Sequence, residues 1–248
     1  AAVAATAALR CIRRNYPEAR MDLLLRPYVR PVVENAPWFD GVIEQTRDAG
    51  LGEVLRVSGT LRHGPRYDLA VLLTHSFSSA LTVWLGRARR RVGHARNGRS
   101  FLLTDPVPWP GREPDADRVP KVAVYSSLLE CLCCEGADDM RPELFTSSED
   151  EALCDRLLAE GGRDPKRGLL AVAPGAAYGA SKLWPPMRFA EAADRLAEAR
   201  GLQAALLTGP GEHPIGREIA RHMAGGPVLF PDGALTFGAL KALVRRSA

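Results

Sequence analysis

The chain has 248 residues, of which 46% are hydrophobic and 25% charged, with a formal net charge of +4. That length suits one large or two small domains, and the composition supports a buried core. No apolar run approaches the ~18–20 residues of a membrane-spanning helix, and so mild a charge singles out no class of partner.

The predicted elements alternate from the start. The small apolar residues from Ala1 to Leu9 have no basic segment before them and end at Arg10, so they read as helix rather than as a signal peptide. Helix is expected over Ala4–Asn15, strand over Met21–Leu25, helix over Pro27–Glu34 and a short strand over Gly41–Glu44. Helix over Gly52–Arg62, strand over Leu69–Leu73 and helix over Ser76–Leu85 follow, with Ser76 placed to cap the last. Ser100–Pro120 is rich in proline and charge and reads as loop; helix resumes at Lys121–Glu135 and again at Glu149–Ala159, ahead of Gly161-Gly162. A second series then opens: strand Leu169–Ala173, helix Met187–Arg200, strand Gln203–Thr208, helix His213–Ala224, strand Val228–Phe230 and helix Thr236–Arg246. Strands alternating with helices predict parallel sheets in right-handed βα units. Two such series imply an α/β protein of two Rossmann-like domains, residues 1–160 and 161–248.

Five cysteines, Cys11, Cys131, Cys133, Cys134 and Cys154, form no even framework, which fits reduced thiols and a cytoplasmic location. Cys131 and Cys134 have C-x-x-C spacing but lack a second ligand pair and fall within a predicted helix, so they read as small core residues with no metal site.

The most informative stretch is Ala173-Pro174-Gly175-Ala176-Ala177-Tyr178-Gly179-Ala180-Ser181-Lys182-Leu183-Trp184-Pro185. It joins a strand end to a helix N-terminus. There free amides and the helix dipole favour an anion, and Lys182 adds a mobile positive charge. It is no Walker A loop, because Lys182 does not follow a glycine, and no Gly-x-Gly-x-x-Gly fingerprint is present. From the residues alone, an anion site and an ordinary turn stand side by side. A second strand-to-helix turn, Leu206-Leu207-Thr208-Gly209-Pro210-Gly211-Glu212, has glycines against which a ligand can lie. Its Glu212 is either an acceptor for ribose hydroxyls or a first-turn carboxylate favoured by the helix dipole.

The third feature is a basic segment, Arg87, Arg89, Arg90, Arg91, His94, Arg96 and Arg99. It is a solvated face or a site for an anionic partner; little aromatic interleaving and no recognition motif speak against nucleic acid.

Pro-Gly-Ala, a short spacer and Lys-x-Trp-Pro resemble the donor-site motif of glycosyltransferase family 9, the heptosyltransferases of lipopolysaccharide core synthesis, and within it the heptosyltransferase II branch. Ala7-Ala8-Leu9-Arg10 with Tyr16-Pro17, Asn35-Ala36-Pro37-Trp38, Tyr67-Asp68-Leu69-Ala70 and His75-Ser76-Phe77-Ser78-Ser79-Ala80-Leu81 resemble further landmarks in family order. The resemblance implies a GT-B fold, two Rossmann-like domains facing a cleft, with acceptor bound by the first and nucleotide-sugar by the second. It implies inverting, metal-independent transfer of heptose from ADP-L-glycero-D-manno-heptose to the lipopolysaccharide inner core, without a cofactor and with peripheral contact at the inner membrane. Donor contacts would come from Gly175, Ala176, Ala177, Lys182, Gly209 and Glu212, and acceptor contacts from Ser76, Arg91, Arg96 and Arg99. The family's catalytic aspartate, in a Gly-Asp turn, would lie before Ala1, and its Asp-Ser/Thr-Gly-x-x-His segment beyond Ala248. These residues by themselves are therefore expected to be inactive, with no catalytic residue assignable among them. One departure is Ser78, where the family often carries lysine, which weakens the acceptor assignment more than the donor one. A non-catalytic nucleotide- or glycan-binding protein and a family-9 transferase of another sugar are the rival readings.

Overall fold

The computed structural model describes residues 2–46, 50–111, 119–175 and 183–247. The chain forms two compact units, Ala1–Leu144 and Phe145–Ala248. The division thus precedes the expected one near Glu160, because helix α6 (Ser148–Glu160) belongs to the second core.

In the first unit, α1 (Ala2–Asn15), β1 (Asp22–Leu25), α2 (Arg30–Val33), β2 (Gly41–Glu44) and α3 (Leu51–His63) lead to β3 (Leu69–Leu72) and α4 (Phe77–Leu85). Pro27–Glu34, expected as one helix, is a 3₁₀ turn over Pro27–Val29 running into the short α2. Then come β4 (Arg90–His94), β5 (Asp105–Val107) and α5 (Lys121–Cys131). β1 pairs with β2, and β3, β4 and β5 form a three-stranded sheet in that order; every pairing is parallel. Neither β4 nor β5 was expected. Arg90 is neutralised by Asp105 across the pair at 2.9 Å, so a strand of charged residues is stable there. Pro106 is tolerated because β5 is paired only with β4, leaving an edge where no donor is missed.

The core of this unit packs α1 and α5 against the strands through Ala8, Cys11, Ile12, Val92, Val107, Val124, Leu128 and Leu129. Arg10 is buried at its edge and ion-pairs with Asp139 and Glu143, which ties α1 to the segment after α5. Helix α5 stops at Cys131, short of the expected Glu135, because Cys133 turns the backbone left-handed (φ 54°). Cys133 is exposed, whereas Cys11, Cys134 and Cys154 are buried; all five thiols are free, and burial pushes the Cys134 thiol up to about 11. Among the described residues no cluster of side chains is arranged to hold a metal, and no helix is long and apolar enough to cross a membrane.

The second unit contains α6, β6 (Gly168–Val172), α7 (Pro186–Arg200), β7 (Leu202–Leu206), α8 (His213–His222) and α9 (Phe237–Arg246). β6 and β7 are parallel. Val228 adds a single parallel bridge to β7, where a strand over Val228–Phe230 was expected, and Ser247 adds one to β6. Side chains alternate between two covered faces, as period-2 geometry requires. Leu169 and Ala205 meet Cys154, Leu157, Leu158, Ala242 and Leu243 of α6 and α9. Val172, Ala204 and Leu206 meet Ala190, Ala193 and Ile219 of α7 and α8. Local signals set the helix ends. Ser147 and Asp150 form a reciprocal capping box on α6, Thr236 caps α9, Pro186 opens α7 and Gly201 closes it at φ 64°.

Candidate functional site

Of the residues singled out by sequence, Gly175, Gly209, Glu212, Ser76, Arg96 and Arg99 follow the C-terminal ends of strands, where parallel α/β folds leave backbone amides and loop side chains for ligands, whereas Arg91 lies at the start of β4.

In the second unit, β6 runs into Ala173-Pro174-Gly175 and β7 into Thr208-Gly209-Pro210-Gly211-Glu212. These turns meet. The Glu212 carboxylate accepts the Gly209 N–H at 2.8 Å and lies directly against the Gly175 backbone. A Cβ on Gly175 would fall inside that carboxylate, and one on Gly209 would sit 3.1 Å from its Oε2. The absence of a side chain at 175 is therefore what lets the Glu212 carboxylate take this position. Gly211 is required by its backbone (φ 80°), which turns the chain into α8. Glu212 occupies the position preceding α8, and its carbonyl receives Ile215 N–H and Gly216 N–H. Next to it, His213 Nε2 lies 3.4 Å from Thr208 Oγ1 and 3.1 Å from Asp232 Oδ1. These partners were not foreseen, because Asp232 lies far along the chain and carries no local pattern. Downstream in the first turn, Trp184 packs edge-on to Phe189 of α7 with ring centroids 5.4 Å apart, which fixes the approach to that helix. Ala176, Ala177 and Lys182 lie outside the described residues. Of the expected donor residues, Gly175, Gly209 and Glu212 are thus brought into one cluster.

In the first unit the structure divides the basic segment. Arg91 turns back along the sheet and donates to the carbonyls of Leu102 at 2.7 Å and Ala88 at 2.6 Å. Arg99 is fully buried. It donates to His94 O at 3.1 Å, Ser76 O at 3.1 Å and Ser79 Oγ at 3.2 Å. Burial pushes its guanidinium down to about 10. Both had been assigned direct contact with an acceptor. Nε and Nη1 of both arginines are engaged within the protein, while Arg99 Nη2 is buried without a hydrogen-bond partner among the described residues. Ser76 caps α4, as expected, by accepting the Ser79 N–H at 3.3 Å.

Arg96 is placed differently. Its guanidinium stands 4.5 Å from the centroid of Trp109, and the Lys121 ammonium stands 5.6 Å from the same ring. His75 and His94 are edge-on to Trp109 at 5.5 and 5.0 Å. His94 is buried, with Nε2 2.9 Å from Val124 O, and its role is structural. His75 is less enclosed. Burial first, then the charges of Lys121, Arg96, Arg99 and His94, hold its imidazole below the ordinary histidine range, so it is neutral near pH 7. The carbonyl of His75 accepts Asn97 Nδ2–H at 2.8 Å, fastening the loop after β4 to the end of β3. Asn97 and Gly98 both have positive φ, 55° and 70°, which makes that tight loop feasible. Sequence reasoning missed Trp109 and Lys121. The available signal was an aromatic residue between Pro108 and Pro110 directly after a strand.

The family model "Glycosyltransferase family 9 (heptosyltransferase)" matches residues 54–242. Lipopolysaccharide heptosyltransferase 2 of Salmonella typhimurium (strain LT2) is 29% identical over 220 residues, or 85% of this chain and 60% of that protein. The chain thus spans about 60% of the length of that curated relative. Among solved structures, a family 9 glycosyl transferase from Veillonella parvula superposes with a TM-score of 0.84 at 17% identity, over 99% of this chain and 70% of its own. The ADP-heptose lipopolysaccharide heptosyltransferase II of Escherichia coli superposes with a TM-score of 0.73 at 22% identity, over 99% of this chain and 73% of its own. These two likenesses concern the fold, and the family match, extending over most of the sequence, carries the assignment: the chain belongs to glycosyltransferase family 9, the heptosyltransferases.

Proposed function

We propose that the protein transfers heptose from ADP-L-glycero-D-manno-heptose to the inner core of lipopolysaccharide, with inversion and without a metal. It does so as a GT-B enzyme whose first domain binds the acceptor and whose second binds the donor. Family membership and the heptosyltransferase relatives support the reaction class. The observation that supports the donor assignment is the docking of Glu212 against Gly175 and the Gly209 amide, which brings two strand-end turns together around one carboxylate. A carboxylate so fixed can accept both hydroxyls of a ribose, as acidic residues do at Rossmann strand ends. Lys182 and the amides of Gly175, Ala176 and Ala177 would then bind the pyrophosphate and stabilise its charge as the sugar departs. Two converging domains would exclude water, which competes with the acceptor hydroxyl.

The acceptor is anionic, and the exposed Ser76 hydroxyl and Arg96 face it. Nucleic acid is not a partner. The reaction takes place in the cytoplasm, with peripheral contact at the inner membrane where the lipid-borne acceptor resides.

The test is transfer of heptose from ADP-heptose to lipopolysaccharide core, by the protein that carries this chain and by its Lys182→Ala variant. Removing a charged partner of a buried phosphate costs about 2–5 kcal/mol. Transfer at subsaturating donor should accordingly collapse in the variant. Undiminished turnover by Lys182→Ala would overturn the donor assignment, and turnover only with another nucleotide-sugar would redirect the family-level reading to a different donor.

A further inference from the structure

His75, Arg96, Trp109 and Lys121 meet from four separate elements: the segments that follow β3, β4 and β5, and the first residue of α5. Two permanent cations are held within cation–π range of one indole, and among the described residues no carboxylate lies within ion-pair distance of Lys121. The amino end of α4, capped by Ser76, opens at the same sheet edge and adds the positive end of a helix dipole. Behind it stands the buried Arg99 guanidinium, bonded to Ser76 O and His94 O. The edge is rigid, because Asn97 and Arg99 fasten the loop after β4 to the end of β3.

We propose that this cluster binds the dianionic phosphoryl group of a phosphorylated sugar, with Arg96 and Lys121 as its ligands and His75 as a third ligand that takes up a proton from solvent when the anion arrives. The proposal rests on the reading of the first unit as acceptor-binding and narrows that acceptor to a phosphorylated glycan. Two fixed charges neutralise a dianion, and a guanidinium and an ammonium supply forked and rotatable donors to its oxygens. His75 faces Lys121 of α5, Arg96, Arg99 and His94 of the β4 segment, and Trp109 of the β5 segment. The empty site therefore opposes its protonation. A bound dianion reverses the local field and favours the imidazolium. Protonation and phosphate binding are then linked, and each strengthens the other.

The experiment is a pH titration of the histidine ring resonances by NMR, with His75→Gln to identify the signal. It is run alone and with glucose 6-phosphate, glucose or glucuronate. Alone, His75 should titrate below the ordinary value of 6.5. Saturating glucose 6-phosphate should raise its midpoint by about one unit or more. Glucose should leave it unmoved, and glucuronate should raise it less. Arg96→Gln and Lys121→Gln should each weaken glucose 6-phosphate about tenfold on the same signal. A midpoint that ignores glucose 6-phosphate, or responds equally in Lys121→Gln, overturns the site; an equal response to glucuronate overturns its selectivity for a dianion. A responsive His75 in a protein that fails to transfer heptose would leave this site standing and remove the transferase reading. Transfer with a silent His75 would do the reverse.

Discussion

The C-terminal edges of the two main sheets are built by opposite means. After β6 and β7 the chain removes side chains: Gly175 and Gly209 let one carboxylate, Glu212, lie against bare backbone. After β3, β4 and β5 it supplies them, with Arg99 filling the interior of the edge and His75, Arg96 and Lys121 crowding one indole. The first design suits a ligand read through amides and a single acceptor group. The second suits one read by charge. The difference also predicts how each edge fails. A glycine-built edge should lose binding before it loses stability, whereas an arginine-built edge should lose stability first.

Arg99→Ala should show this most strongly. It strips a fully buried side chain and removes one of two donors from His94 O and from Ser76 O, which keep the Arg96 N–H and the Ser79 hydroxyl. The cavity and the lost hydrogen bonds together should cost about 2–4 kcal/mol, measured by urea unfolding. Arg99→Met keeps most of the volume and should recover part of that loss; an unchanged midpoint in Arg99→Ala would mean that the edge does not depend on the guanidinium. At the other end of β3, the Tyr67 hydroxyl donates to Asp22 Oδ2 at 2.6 Å. Burial, then the Asp22 hydrogen bond, pushes the phenol up to about 12. The folded state therefore holds a proton that the unfolded chain releases near pH 10. This contribution is fully present below pH 10 and fades as pH climbs toward 12. Tyr67→Phe should cost about 1–2 kcal/mol at neutral pH and flatten the alkaline fall in stability. Its His75 titration should be unaltered, since the change lies away from the charged edge. The smallest effect is expected from Ser147→Ala, which opens the capping box of α6. It should lower stability by about 1 kcal/mol and leave ligand binding at both edges unaffected.

How far the sequence reveals these features depends on whether their cause is local. The second series was legible because the residues from Leu169 to Val172 and from Ala204 to Leu206 are short apolar runs buried on both faces, and the helices expected over Met187–Arg200 and Thr236–Arg246 lie within a residue of α7 and α9. Strands β4 and β5 were not legible. Arg90 and Arg91 read as solvated charge until Asp105 and the Leu102 carbonyl are known to receive them, and Pro106 reads as loop until its edge position is known. The same holds for the sites. The two turns of the second unit each showed their glycines, but the contact of Glu212 with Gly175 joins residues from different strands. Grouping the basic residues by proximity in sequence treated Arg96 and Arg99 alike, although one stands over Trp109 and the other is enclosed.

The central claim is that the Gly175–Gly209–Glu212 cradle binds the nucleotide of a sugar donor, and calorimetric titration with ADP tests it most directly. The parent chain should bind ADP. In Gly175→Ala the new methyl group must displace the Glu212 carboxylate from the Gly209 amide. Because that carboxylate ends a flexible side chain, the lost hydrogen bond should cost only about 1 kcal/mol of stability, while ADP affinity falls at least tenfold. ADP binding of equal strength in parent and Gly175→Ala, with the fold intact in both, would contradict the account.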